Sequence, residues 1–128
     1  MTYPFNARKG LVIVSCEIAG RTGNILLRLA LDTGATGTLV SAGPLAAVGY
    51  DPSLSPDRLQ VTTGSGVEYA PRVVVDRIRA LGHEYRSFPL IAHTIPASAR
   101  VDGLLGLDFL RGLRLNLDFQ MGTISLHE

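Results

Sequence analysis

One stretch of the 128-residue chain combines residue types and spacing that could do chemistry. Ile25-Leu26-Leu27-Arg28-Leu29-Ala30-Leu31 runs straight into Asp32-Thr33-Gly34-Ala35. An apolar, β-prone run that ends in a carboxylate and then a glycine sets the acid at the end of a strand, held by a tight turn. A carboxylate so placed can serve as general acid or base. Further along, Leu104-Leu105-Gly106 forms a second apolar run stopped by glycine, leading into Leu107-Asp108-Phe109-Leu110.

Other chemistries find little support. His83, His93 and His127 stand far apart with no paired ligand spacing, so no metal is expected, and no cofactor. Gly64-Ser65-Gly66 lacks the outer glycines of a nucleophile elbow, and it separates two strand-like runs. Gly34-Ala35-Thr36-Gly37 is not followed by the Gly-Lys-Ser/Thr of a phosphate-binding loop. Cys16 is the single cysteine, which excludes an intramolecular disulfide and reads as a small buried thiol. Ile13-Val14-Ser15-Cys16 looks like a lipoprotein cleavage box, but its apolar lead spans only Leu11 to Val14. A net charge of +1 argues against a nucleic-acid or anionic-membrane partner. No apolar run reaches the ~18 residues of a membrane span. The expected location is therefore cytoplasmic. Eleven Arg against one Lys fits a GC-rich bacterial genome.

The elements that must hold these residues are short strands. With 46% apolar and 18% charged residues, the chain is globular and long enough for one domain. Strands are expected at 11–19 and 25–31, joined through Gly20-Arg21-Thr22-Gly23-Asn24, and at 38–40. Pro44 to Gly49 suits one or two helical turns. Runs at 59–63 and 67–70 flank Gly64-Ser65-Gly66 as a hairpin, and 72–80 with 84–92 form another around Leu81-Gly82-His83. Residues 114–119 and 123–127 close the chain. The reading is an all-β domain of mostly antiparallel short strands with one or two short helices, spanning 11–128 after an N-terminal segment 1–10.

With these features in order, the sequence resembles the retropepsin-like aspartic proteases, the single-domain relatives of pepsin. Three features carry the resemblance: the strand with Asp32-Thr33-Gly34-Ala35, the hairpin about Gly64-Ser65-Gly66, and Leu104-Leu105-Gly106, with Asp102 to Leu110 looking especially like the small bacterial and retrotransposon-type members. It implies a closed β-barrel, half of an acid protease, working as a C2 homodimer on peptide substrates. Two carboxylates must share one proton in such chemistry, and this chain holds one Asp-Thr-Gly and no second Asp-Thr-Gly or Asp-Ser-Gly. The Asp32 residues of two chains would then meet on the axis.

The resemblance further assigns catalysis to Asp32, Thr33 and Gly34, with Thr33 bonding across the dimer. It assigns substrate contact to Ala35 and the flap residues Thr63, Gly64, Ser65 and Gly66. Support of the site falls to Leu104, Leu105, Gly106 and Asp108. Ala35 offers no hydroxyl to the carboxylate, which implies a less acidic pH optimum. Leu107 stands where retroviral members carry Arg, which makes the expected dimer interface more dependent on apolar contact. Both chain termini, residues 1–8 and 123–128, are expected at the dimer interface. The alternative is a catalytically silent dimer of this fold that binds extended peptides. A third reading is an unrelated β-rich domain with a coincidental motif.

Overall fold

A computed structural model of the chain describes every residue except Gly64 and Ser65, with Thr63 described by its backbone alone. Period-two alternation sets its strands. In β2 (Ile13–Gly20) Val14, Cys16 and Ile18 are buried, and in β3 (Gly23–Leu31) Leu27 and Leu29 are, while Ser15, Leu26 and Arg28 are exposed. Their register closes with Gly20 opposite Gly23. The hairpin therefore turns on Arg21 and Thr22 alone, tighter than the five-residue connection expected.

The remaining elements are β1 (Thr2–Pro4), β4 (Leu39–Val40), α1 (Ala42–Ala47), β5 (Arg58–Thr63), β6 (Gly66–Ala80), β7 (His83–Ala92), β8 (Gly103–Leu105), α2 (Leu107–Leu110), β9 (Arg114–Asp118) and β10 (Thr123–His127). Six strands in the order β2-β3-β8-β4-β7-β6 close into a barrel, because β6 also pairs with β2. Closure leaves these strands no open edge. The β3–β8 and β4–β7 pairings are parallel and the others antiparallel. A small sheet β1-β10-β9 joins the first residues to the last.

α1 begins two residues earlier than the Pro44 signal suggests. Pro44 still lies in the first turn, where amides have no intrahelical acceptor to lose. Gly49, at φ +95, reverses the chain after the helix.

The two strands expected at 67–70 and 72–80 are one strand, β6. Pro71 sits where that strand changes partner, from β5 (Arg58 opposite Pro71) to β7 (Arg72 opposite Ile91). A residue without an amide proton is tolerated at such a handover. Beyond it, β6 buries Val73 and Val75, then Ile78 and Ala80. The shift from odd to even positions occurs opposite Ser87, whose φ of +50 interrupts β7 between Phe88 and Arg86. The Asp76 amide, out of the ladder at this rung, donates to the Tyr50 hydroxyl at 2.9 Å. Long-range packing thus satisfies a donor that the unpaired rung would leave orphaned.

The barrel interior is continuous with Leu45 and Val48 of the α1 region, Phe109 and Leu110 of α2, and Ile124 and Leu126 of β10. Phe109 is fully buried, edge-on to Tyr85 at 4.9 Å between centroids. Its burial contributes about 2–3 kcal/mol and seats α2 against β7. Among the described residues no helix is long and apolar enough to cross a membrane.

Candidate active site

The Asp32 turn is built where β3 ends beside β8. Parallel pairing sets Leu31 opposite Leu105, and the ladder runs one step further as the Asp32 amide donates to the Leu105 carbonyl at 2.9 Å. The chain then folds back on itself. The Ala35 amide donates to the Asp32 carbonyl at 3.2 Å, and the Gly34 amide to Asp32 Oδ1 at 2.8 Å. This second bond orients the carboxylate, which is half-buried. A Cβ on Gly34 would stand 3.2 Å from that oxygen, so glycine permits the approach. Thr33 is exposed beside it.

The segment after the turn is fixed by Asp108. Its Oδ2 accepts from the Thr38 amide at 3.0 Å, and its Oδ1 accepts from the Thr38 hydroxyl at 2.7 Å and from the Phe109 amide at 2.9 Å. The Thr38 hydroxyl oxygen in turn accepts from the Gly106 amide at 3.1 Å. The Leu107 and Asp108 amides donate to the carbonyls of Ala35 and Thr36 at 2.8 and 3.2 Å. Residues 35–38 are thereby laced to 106–108. Gly106 must be glycine for this: a Cβ there would fall 2.6 Å from the Gly37 carbonyl oxygen and 2.8 Å from that of Ala35. Leu105 is fully buried behind it, and Leu104 turns toward the cleft.

A cavity of about 420 Å³ opens over the carboxylate. Asp32, Gly34, Ala35 and Thr36 line it from the turn, and Leu39, Ile91 and Leu104 form an apolar wall. Gln60, Val61 and Thr62 of β5 reach it from the arm of the β5–β6 hairpin. That arm extends to the Thr63–Gly66 pair. Gly64 and Ser65, expected to touch substrate, lie outside the described residues, as does the Thr63 side chain. On the other strand of the hairpin, Glu68 Oε2 comes within 3.9 Å of His93 Nε2 at the end of β7.

The structure thus gathers Asp32, Thr33, Gly34, Ala35, Leu104, Leu105, Gly106 and Asp108 in one place. Sequence reasoning passed over Thr38, whose hydroxyl is the hub of the loop contacts. It also passed over Gln60, Val61 and Ile91 in the cleft wall. A threonine at the head of a short strand-like run carries no signal that it will be wholly buried. No group of three His, Cys, Asp or Glu side chains suited to a metal occurs among the described residues. Cys16 lies in the core, where burial pushes its thiol up to about 12 and leaves it a poor nucleophile.

Comparison with known proteins agrees with this geometry. No curated protein matches the sequence. Among solved structures, the chain is similar to a retropepsin-like aspartic protease from Rickettsia conorii, with a TM-score of 0.73 and 16% identity. The match covers 99% of this chain and 91% of that one; at such identity the likeness is one of fold. The family model described as aspartyl protease matches residues 14–109, from within β2 to within α2. Since that span holds the barrel, the Asp32 turn and the Leu104-Leu105-Gly106 strand, the chain belongs to the aspartyl protease family.

Proposed function

We propose that the protein is an aspartic endopeptidase whose catalytic pair is completed by a second copy of the chain. The supporting observation is the single oriented carboxylate at the end of β3, facing a cavity with a hairpin arm over it. One carboxylate cannot act as base and as proton donor to the scissile carbonyl in the same step. In the C2 dimer the two Asp32 side chains lie side by side and share one proton, because like charges so close cannot both ionise. The ionised member takes a proton from water as its oxygen attacks the carbonyl carbon. The protonated member gives its proton to the carbonyl oxygen. The resulting gem-diol then gives one hydroxyl proton to the newly ionised carboxylate as its C–N bond breaks, and the amine leaves with the proton that the other carboxyl had taken from water, so the pair again shares one proton. The pair titrates as a unit.

Within one chain β1 already pairs with β10, so the small sheet has its edges at β1 and β9. Docking of the β1 edge, in the expected segment 1–8, against its copy fits the dimer, whereas β10 of the segment 123–128 is paired on both sides within the chain; an extended peptide would bind along the cleft by strand-type pairing.

The test is digestion of a mixed peptide library, read by mass spectrometry over roughly pH 4 to 7, with wild type and Asp32→Asn compared at high protein concentration. Cuts made by wild type alone support the reading; equal cutting by both proteins overturns it. A dimeric wild type that binds peptides and cuts none would instead favour a binding module.

A further inference from the structure

A second cavity, of about 690 Å³, is lined by Asn6, Lys9, Leu11, Ser15, Arg28 and Ser98, among others. Both charged side chains in its lining are cations, and no carboxylate is part of it. Among the described residues Arg28 and Lys9, like most of the arginines, have no ion-pair partner, so what sets them apart is that they line one cavity together. Arg28 faces outward because Leu27 and Leu29 face the core, and Ser15 lies opposite it in register. Asp102 is the acid nearest in the hydrogen-bond network, and its Oδ2 is turned to the Arg28 backbone amide at 2.9 Å. The other polar side chains of the lining, Asn6, Ser15 and Ser98, can donate hydrogen bonds to an anion.

The walls of this cavity are the segments that hold the Asp32 turn. The strand entry beside Leu11 is tied to β3 by the Leu31 amide, which donates to the Val12 carbonyl at 2.8 Å. Ser98 lies on the segment that runs into β8, whose Leu105 carbonyl holds Asp32. Arg28 precedes Asp32 by four positions, roughly 13 Å along a strand. An extended peptide covers that distance in about four residues.

We propose that this cavity receives an acidic side chain of the bound peptide, three or four residues from the cut bond, with Arg28 and Lys9 as the residues that select it. The inference rests on the endopeptidase reading above. The Arg28 guanidinium suits a carboxylate through paired N–H donors, and Lys9 adds a second charge.

The experiment compares otherwise identical cleavable peptides bearing Glu, Gln or Lys at the third and fourth positions on each side of the scissile bond. At one of these positions wild type should favour Glu over Gln by about fivefold in kcat/KM, and disfavour Lys, with the preference fading in about 0.5 M salt. Arg28→Glu, checked for folding by circular dichroism, should invert the order of Glu and Lys. Arg79→Gln, which removes an exposed cation on β6, should leave it unaltered. Efficient cutting with equal rates for Glu, Gln and Lys overturns this inference and leaves the endopeptidase reading standing. Unchanged preference in folded Arg28→Glu also overturns it. Millimolar inorganic phosphate, unlike chloride of equal ionic strength, should erase the Glu preference by competing for the same two cations. A wild type that cuts none of the peptides overturns both.

Discussion

Thr38→Val keeps the branched shape of the side chain and deletes one oxygen from the contacts that hold the Asp32 loop. That oxygen is buried, donates to Asp108 Oδ1 at 2.7 Å and accepts from the Gly106 amide at 3.1 Å. Leaving the Gly106 amide without its acceptor costs about 1–3 kcal/mol, and a lost bond to a charged oxygen about 1.5–3 kcal/mol. Asp108 Oδ1 keeps the Phe109 amide at 2.9 Å, which reduces the second loss. The sum to expect is about 2–4 kcal/mol. Thr38→Ser retains both bonds and loses a buried methyl, for about 1 kcal/mol. Urea unfolding of the three proteins at one common concentration reads the difference, since assembly shifts the midpoint. With a slope of about 1.5 kcal/mol per molar urea, Thr38→Val should unfold about 2 M earlier than wild type. A Thr38→Val protein within about 0.5 kcal/mol of wild type, or one more stable than Thr38→Ser, would refute the reasoning.

Other expectations follow from single contacts. Gly106→Ala forces a methyl against the carbonyls of Gly37 and Ala35 and should cost roughly 3 kcal/mol, with peptidase activity lost before the fold in a denaturant series; normal activity and stability would contradict the close packing. The Cys16 thiol, raised from 9.0 to about 12 by burial, should resist alkylation at pH 8 until the protein unfolds. Because the folded value lies above the unfolded one, stability is intact below pH 9 and falls between pH 9 and 12, by about 1.4 kcal/mol per pH unit. Cys16→Ala should flatten that part of the curve, and a slope unaltered by the substitution would dismiss the link. Tyr50→Phe removes the acceptor of the Asp76 amide, a loss of about 1–3 kcal/mol visible as an earlier urea midpoint.

Much of the barrel was legible because its signals are local. Alternating burial in β2 and β3, the glycine stop after Leu105 and the punctuation by Pro44 and Gly49 depend on neighbours a few residues apart. The Asp32 turn and the Leu104-Leu105-Gly106 strand could be read separately for the same reason. What escaped depends on partners far along the chain. Pro71 reads as a break, yet β6 passes through it because β5 pairs on one side and β7 on the other. Ser87 gives no sign of a positive φ, which is tolerated where Tyr50 captures the freed Asp76 amide. Thr38 and Asp108 are separated by 70 positions, so no local pattern announces their contact. Gln60 reaches the cleft only once the hairpin arm folds over it, and Ile91 only once β7 pairs with β4 beside Leu39.

The central claim, that one chain holds half a catalytic pair, is tested most directly by activity on dilution. Specific activity on a cleaved library peptide would be followed as the protein is diluted, with sedimentation velocity recorded at the same concentrations. The account predicts that activity per chain falls in step with the dimer fraction and vanishes with it. Constant activity per chain in samples that sediment as monomer would contradict it.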